Sequence, residues 1–415
     1  MTGSSISTGV RSEALFANSE DFSERKFLRS QKIVIIANSA WYITNFRNSL
    51  IKLLLDHGCQ VTVVAPPDDF IHFLIDSLNC TYLPIFHLNR AGTNLWQEMR
   101  LTLELRSVLK TLHPDLIISY TIKPVIHTSF WTRFMKIPHL AVLPGLGYTF
   151  IRRNRLNQLI VLLYRFLLPN NKYVLFENEH DRDLFIEKKL VNPNHALAFK
   201  GCGVDTSYFT PLEKTQPSEA LRFLFLGRLL NEKGIREYIE AAKMMSEKHP
   251  NTHFWILGHI DEQNPGAVVK KSFMQWIRHP AIEYLGFEKD VRDVIRECDV
   301  VVLPSYYPEG VPRVLQEGMA MGKPIITTDM PGCREAIDQG DNGILVPPRD
   351  AQALFDAFEF FYALSPQEHI RMGRAGRMKA IREFDEKISN HQYLELISSI
   401  LNVSQPTKNK QHKPT

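Results

Sequence analysis

Two carboxylates eight positions apart stand in Pro304-Ser-Tyr-Tyr-Pro-Glu-Gly-Val-Pro-Arg-Val-Leu-Gln-Glu317. Pro312 suits the first turn of a helix, and the helix it predicts runs through Met321 and stops near Gly322. Glu309 sits just before that helix and Glu317 about five residues into it, about 8 Å along the axis. Acids at that separation can accept hydrogen bonds from hydroxyls on two parts of one ligand. The N–H groups of Gly310 and Val311 fall where a helix start leaves donors without intrahelical partners, a cradle for an anion or a polar sugar edge. A capping Glu and a solvated Glu are the plainer use of the same residues.

A second set follows in Leu226-Gly-Arg-Leu-Leu-Asn-Glu-Lys-Gly234. Gly227 permits close backbone approach. Arg228 and Lys233 flank a loop that opens a helix at Ile235, and forked Arg donors with a movable Lys charge beside a helix N-terminus suit a diphosphate. Two surface cations would explain either residue alone. That reading weakens because both loops lie at strand C-termini of one predicted sheet.

The elements that must position these residues are legible as short apolar runs. Residues 32–37 and 60–65 are β-branched runs that fit strands buried on both faces of a parallel sheet, with helical spacing over 46–57 between them and Gly58 placed to end it. Helix 95–112, strands at 115–119, 138–143 and 173–177, and a helix from His180 continue the rhythm. A turn-rich stretch at 200–217 marks a domain joint. The rhythm restarts with strands at 222–226, 252–257, 282–285, 300–303, 324–328 and 343–346 and a helix at 235–249. The fold class is therefore α/β, two Rossmann-like doubly wound domains facing a cleft. We place an N-terminal domain at 31–205, a second at 206–385, a C-terminal helix at 386–403, and disordered tails at 1–30 and 404–415.

Composition narrows the classes. At 415 residues and 44% hydrophobic, the chain can bury two cores without staples. Its five scattered cysteines form no CxxC, which argues against a disulfide framework or zinc finger and suits a reducing compartment. No uncharged apolar stretch is long enough to span a bilayer, and residues 1–30 lack the apolar centre of a signal peptide. The net charge of +4 conceals a belt between Arg90 and Lys172 with 12 basic and three acidic residues. Such a belt suits an anionic partner, whether phosphates, a membrane surface or nucleic acid.

The Glu309/Glu317 spacing resembles the E-x7-E signature of retaining family 4 glycosyltransferases, and Gly227 to Gly234 resembles that family's G-R-L-x-x-x-K-G loop. Gly201-x-Gly-Val-Asp205, Pro331-Gly-Cys-Arg-Glu335 and Asn342-Gly-Ile-Leu-Val-Pro347 extend the resemblance to about residues 31–400. It implies a GT-B fold whose second domain holds a nucleotide sugar and whose last helix crosses back to the first. It further implies that Arg228 and Lys233 hold the diphosphate and Glu317 the ribose hydroxyls. Glu309 would hold the donor sugar with the N–H groups of Gly310 and Val311. The base would sit near Gly258 and between Gly286 and Val291, with no residue fixed there.

The first half is similar to a branch acting on lipid-linked or polysaccharide acceptors. Its segments are Asn38-Ser-Ala-Trp-Tyr-Ile-Thr-Asn-Phe-Arg47, Ser119-Tyr-Thr-Ile-Lys-Pro124 and Pro144-Gly-Leu-Gly-Tyr148. The resemblance puts Asn38, Ser39, Tyr120, Lys123, His127, Gly145 and Gly147 on the acceptor side, all facing the cleft. Many members carry a histidine in the loop after the strand at Asp115. This chain has Ile122-Lys123, with His127 one turn on, so Lys123 is expected to hold a donor or acceptor phosphate. Lys123 joins Glu309, Arg228 and Lys233 among the expected catalytic groups.

The function so implied is retaining, metal-independent transfer of a sugar, an N-acetylhexosamine among those admitted, from a UDP-sugar to a lipid-linked saccharide. The setting would be surface polysaccharide or glycan assembly, in the cytoplasm with peripheral contact at the inner membrane face. No cofactor is expected. Asp181-Arg-Asp183 has a metal-binding DxD pattern but falls on a predicted helix, and Arg228 and Lys233 already offset the diphosphate charge. Residues 151–168 interleave Arg with bulky apolar side chains, as a segment lying on an anionic membrane would; an ordinary packed helix with a basic face fits equally. The alternative is a nucleotide-sugar epimerase or isomerase of the same architecture, which would want more acids or histidines in the cleft. A nicotinamide dehydrogenase would want G-x-G-x-x-G where Asn38-Ser-Ala-Trp41 stands. A nucleic-acid partner is not expected, since no recognition module accompanies the belt.

Overall fold

The computed structural model describes residues 28–89, 94–147, 155–211, 220–262 and 264–401. The first domain is a seven-stranded parallel sheet of β1 (Lys32–Ile36), β2 (Gln60–Ala65), β3 (Thr81–Pro84), β4 (Leu116–Tyr120), β5 (His139–Leu143), β6 (Tyr173–Phe176) and β7 (Ala196–Ala198), in the order β3-β2-β1-β4-β5-β6-β7. The second is a six-stranded parallel sheet of β8 (Leu221–Leu226), β9 (Thr252–Leu257), β10 (Ile282–Gly286), β11 (Val300–Leu303), β12 (Ile325–Thr328) and β13 (Gly343–Val346), in the order β10-β9-β8-β11-β12-β13. In each sheet the winding reverses once, between β1 and β4 and between β8 and β11. Ligands of such sheets bind at that reversal, beyond the carboxyl ends of the strands.

The strands are apolar throughout because both faces are covered. In β1, Ile33 and Ile35 join one cluster while Val34 and Ile36 join another on the opposite face. Helices α1 (Ala40–Phe46), α2 (Asn48–Asp56), α3 (Leu95–Leu112), α4 (Ile122–Met135), α5 (Arg155–Leu167) and α6 (Glu179–Glu187) accompany the first sheet. With the second run α7 (Ile235–Lys248), α8 (Lys270–Trp276), α9 (Arg292–Glu297), α10 (Arg313–Ala320), α11 (Pro331–Glu335), α12 (Ala351–Ala363) and α13 (Pro366–Glu383). The last helix, α14 (Glu386–Ile400), puts Tyr393, Leu394 and Ile397 into the core of the first domain with Ile33, Leu54 and Leu140.

Two departures from the sequence reading have physical causes. The helix expected over 46–57 starts earlier and is broken: Ser39 Oγ accepts from the Tyr42 N–H to cap α1, and Arg47 separates α1 from α2 at φ −136° with its side chain drawn into the core. Leu28 is fully buried, and the Ser30 N–H donates to Gly58 O at 2.9 Å. Residues 28–30 are therefore packed and do not belong to a loose tail; residues 1–27 and 404–415 lie outside the described residues. The two chain crossings between the domains are laced together. Val204 N–H donates to Phe384 O and Glu386 N–H to Val204 O, at 2.8 and 3.0 Å. A Cβ at Gly203 would lie 2.5 Å from Glu386 Cα, so this crossing requires glycine. Among the described residues no helix is long and apolar enough to cross a membrane.

Candidate active site

The loops after β8 and β11 meet at the reversal of the second sheet. Tyr306 N–H donates to Glu232 O at 2.8 Å, and this clamp brings Lys233 onto Glu309. The ammonium lies 2.5 and 2.6 Å from the two Glu309 oxygens, and Ser305 Oγ donates to one of them at 2.9 Å. Lys233 also lies 6.0 Å from the centre of the Tyr307 ring. Arg228, just after Gly227 at the end of β8, pairs instead with Asp261 at 3.2 Å. Gly227 N–H is held by Leu257 O. Both expected diphosphate cations are thus charge-compensated, and an incoming anion would exchange partners with a carboxylate.

Helix α10 begins at Arg313 behind Pro312, as Pro at its start dictates. Glu317 lies on it, paired with Arg313 one turn earlier at 3.0 Å. Burial pushes the Glu317 carboxyl up and Arg313 draws it back. Arg313 reaches across the domains, its Nη1 donating to Asn45 O at 2.7 Å. The expectation of unpaired donors at the helix start fails for Gly310: its N–H donates to Pro144 O at 2.8 Å. Val311 is buried, and its carbonyl accepts from Gln316 Nε2 at 2.9 Å.

The turn of the first domain at Gly145 and Gly147 sits directly on this loop. Gly147 N–H donates to Pro308 O at 3.0 Å, and a Cβ on Gly145 would lie 2.7 Å from Glu309 Cα. Asn178 Nδ2, at the cap of α6, donates to Glu309 O at 3.3 Å. Leu146, His180, Asp181, Tyr307, Glu309 and Gly332 line a cavity of about 190 Å³ beside this contact. A larger hollow of about 380 Å³, bounded by Asp329, Gln339 and the 345–348 segment, holds none of the expected site residues. Burial raises two carboxyls near the interdomain cavity, Asp181 to about 6 and Glu335 to about 7. Asp181 accepts from Asn178 Nδ2 at 3.0 Å, and Asp183 pairs with Arg182.

On the acceptor side, Lys123 and His127 lie one turn apart on α4 and share one carboxylate. Lys123 Nζ is 2.5 Å and His127 Nε2 2.8 Å from the two oxygens of Glu98 on α3, while His127 Nδ1 meets Thr102 Oγ1 at 2.8 Å. Burial pushes Glu98 up, but the hydrogen bonds from His127 and Lys123 outweigh it and hold the carboxyl below its ordinary value. Thr121, preceding this helix, has φ 71° and ψ 165°, a conformation costly for any residue with a Cβ and common where function demands it. Asn38 is half-buried at the end of β1, and Ser39 spends its hydroxyl on capping α1. Tyr120 corrects an expectation. It is fully buried and packs beneath the Arg47 guanidinium, 4.6 Å from its ring centre, so it does not face the cleft.

Several site residues escaped the sequence reading. Glu98, Asp261 and Asn178 belong to no motif. Arg47 and Glu177 form a buried ion pair ringed by Tyr42, Tyr120 and Tyr393. Arg47 ends a quoted segment and Glu177 a predicted strand, yet nothing in their spacing joins them. After Gly286, Phe287 is half-exposed with its ring edge-on to His259 at 5.3 Å, at the strand ends where the base was expected.

The family described as "Glycosyl transferases group 1" matches residues 220–363. Solved structures share the whole architecture: a glycosyltransferase from Rickettsia africae aligns over 90% of this chain and 100% of its own with a TM-score of 0.74 at 18% identity. Anabaena HepE, solved in complex with UDP, aligns over 89% and 100% with a TM-score of 0.71 at 19% identity. The two Rossmann-like domains have the GT-B fold of glycosyltransferase structures. Residues 220–363 form a domain of the group 1 kind. Across nearly the full length, the chain is 27% identical over 387 residues to the N,N'-diacetylbacillosaminyl-diphospho-undecaprenol alpha-1,3-N-acetylgalactosaminyltransferase of Campylobacter jejuni, covering 89% of this chain and 99% of that protein. It is 27% identical over 220 residues to the putative colanic acid biosynthesis glycosyltransferase WcaL of Escherichia coli, 51% of this chain and 53% of that one.

Proposed function

We propose that the chain transfers an N-acetylhexosamine from its UDP-sugar to a saccharide carried on a lipid diphosphate, with retention, in the assembly of a surface polysaccharide or glycan. The observation that carries this is the Lys233–Glu309 pair at the sheet reversal, faced by the Gly145–Gly147 turn. A diphosphate entering there finds Lys233 and Arg228 within one loop, and once it has taken them from Glu309 and Asp261 the two cations stabilise it as it departs. Glu309, released from Lys233, is free to accept from the donor sugar; Glu317 accepts from ribose. Lys123 and His127 await the acceptor's phosphate. The name of the Campylobacter relative supports the acceptor and sugar, and the UDP complex of HepE supports the nucleotide.

Transfer on this reading occurs on one face of the sugar, with the leaving phosphate taking the acceptor proton. It needs no metal, because Arg228 and Lys233 supply the positive charge, and it takes place at the cytoplasmic face of the membrane. The test is release of UDP from a panel of UDP-sugars, with and without a lipid-diphosphate saccharide. Turnover of a UDP-N-acetylhexosamine that rises with acceptor and survives EDTA supports the proposal. Acceptor-independent conversion of the donor to another UDP-sugar would replace it with the epimerase reading.

A further inference from the structure

The loops at the carboxyl end of the second sheet follow the strand order β10-β9-β8-β11-β12. The proposed function places the base at β9 and β10, the diphosphate at Arg228 and Lys233 after β8, and the sugar at Glu309 after β11. The next step along that line is the loop after β12. There the interdomain cavity of about 190 Å³ opens, with Glu309 in its wall. Met330 and Cys333 line it from the second domain, Leu146 and Leu184 from the first. Backbone contact fixes its place beside Glu309: a Cβ on Gly332 would lie 2.1 Å from Gly310 O and 2.5 Å from Glu309 O.

This lining is poor for water. A water molecule takes about 30 Å³ in the liquid and wants about two to four polar partners, so the cavity has room for several and partners for few. Glu309 is already engaged by Lys233 and Ser305. That leaves Asp181, the first acid of Asp181-Arg-Asp183. It is 3% exposed, and among the described residues its carboxyl has one hydrogen bond, from Asn178 Nδ2 to Oδ2 at 3.0 Å. Its Oδ1 has none and can accept from an incoming group. The same Asn178 amide donates its other hydrogen to Glu309 O at 3.3 Å. One side chain therefore sets the offset between Asp181 and Glu309.

We infer that this cavity selects the donor by its acetamido group, with Asp181 and Leu184 telling an N-acetylhexosamine from the plain hexose. The inference rests on the donor proposed above and adds the side chains that choose it. The acetamido N–H donates to Asp181 Oδ1, and the methyl packs on Leu146, Leu184 and Met330. His180, exposed at the edge of the cavity, can donate to the carbonyl. A hydroxyl at the same sugar position reaches too short a distance to cover the apolar walls and leaves the chamber unfilled. Pockets of this make-up, mostly apolar with a few placed polar groups, are those that fix one small ligand group.

The test is kcat/KM for a UDP-N-acetylhexosamine and for the matching UDP-hexose, with wild type, Asp181→Asn, Leu184→Trp and Met330→Trp. Wild type should prefer the acetamido donor by about 10–200-fold, the range for a small apolar group in a fitted pocket. In Asp181→Asn the amide keeps its oxygen on Asn178 and turns its NH2 into the cavity, against the acetamido N–H. The preference should then fall about tenfold or more. Leu184→Trp and Met330→Trp fill the cavity from opposite domains, and each should abolish the preference. Because the readout is a ratio of two donors on one protein, a general loss of stability or activity does not mimic it. A preference unchanged in all three variants, or both donors lost in the same proportion, would overturn the inference. A wild type that favours the plain hexose would overturn the inference alone and leave sugar transfer standing. Failure of every UDP-sugar would defeat the functional proposal and the inference together.

Discussion

Lys233 and Glu309, from loops on neighbouring strands, close a two-oxygen ion pair at the reversal of the second sheet, where the proposed function puts the junction of a nucleotide sugar's diphosphate and hexose. A diphosphate and Glu309 therefore compete for one ammonium. Glu309→Gln should bind UDP more tightly than wild type while losing turnover, and Lys233→Ala should lose about 10²–10³ in kcat, the usual worth of one preorganised donor. Calorimetric titration of UDP with each variant checks the signs; weaker UDP binding by Glu309→Gln would show that the pair assists and does not compete.

Glu317 has two jobs to separate. It neutralises Arg313 and, on our reading, holds ribose. Glu317→Ala should weaken UDP binding by about 1–3 kcal/mol, the cost of stranding a hydrogen-bonded group. Unchanged UDP affinity alongside a lowered melting temperature would leave only the Arg313 role.

The Arg47–Glu177 pair is enclosed by three tyrosines and cannot be rehydrated. Arg47→Ala should cost about 3–5 kcal/mol in urea unfolding, because it strands a buried carboxylate, and the double change Arg47→Met/Glu177→Leu should recover much of the loss. A double variant no more stable than the single would indicate that packing, and not charge, dominates.

Glu335 and Asp181 set a pH dependence. Their folded values, about 7 and about 6, lie above the ordinary carboxylate range because of burial. A raised carboxyl favours the folded state when protonated. Its contribution is complete below the unfolded value and is lost as pH rises through the folded one. Thermal stability should fall between about pH 4.5 and 7 and level off above. Glu335→Gln should flatten the upper part of that slope; an unaltered profile would remove Glu335 as its source.

Gly145 approaches Glu309 too closely for any side chain. Gly145→Ala should wedge the two loops apart and reduce kcat by more than it lowers the melting temperature, since Leu146 beside it stays anchored in the first domain's core. Wild-type kcat would mean that this contact is broken during turnover.

The βα rhythm was readable because parallel strands are buried on both faces and cannot alternate. Ile33 to Ile36 announces itself in any register, and Pro312 and Gly322 bracket α10 by fixed backbone preference. The site was half readable. Lys233 and Glu309 occur in motifs, which single out their side chains but carry no sign of their meeting. Asp261 and Glu98 were invisible because an acid that neutralises a cation from a distant loop carries no local spacing. Gly310 misled, since the helix start does leave a donor, and the first domain's Pro144 carbonyl fills it. Tyr120 misled for a related reason: its strand end reaches the site, but alternation turns its ring under Arg47.

The helix that completes the first domain follows the whole of the second in sequence. Tyr393, Leu394 and Ile397 sit among Ile33, Leu54 and Leu140, and Tyr393 closes the ring around Arg47. On the ribosome the amino-terminal half therefore emerges with an open apolar seam and an uncovered ion pair. It must wait until the second domain has been made before that seam is sealed, while the second domain can consolidate first. A nascent chain stalled before residue 386 should accordingly hold a protease-resistant second half beside a sensitive first.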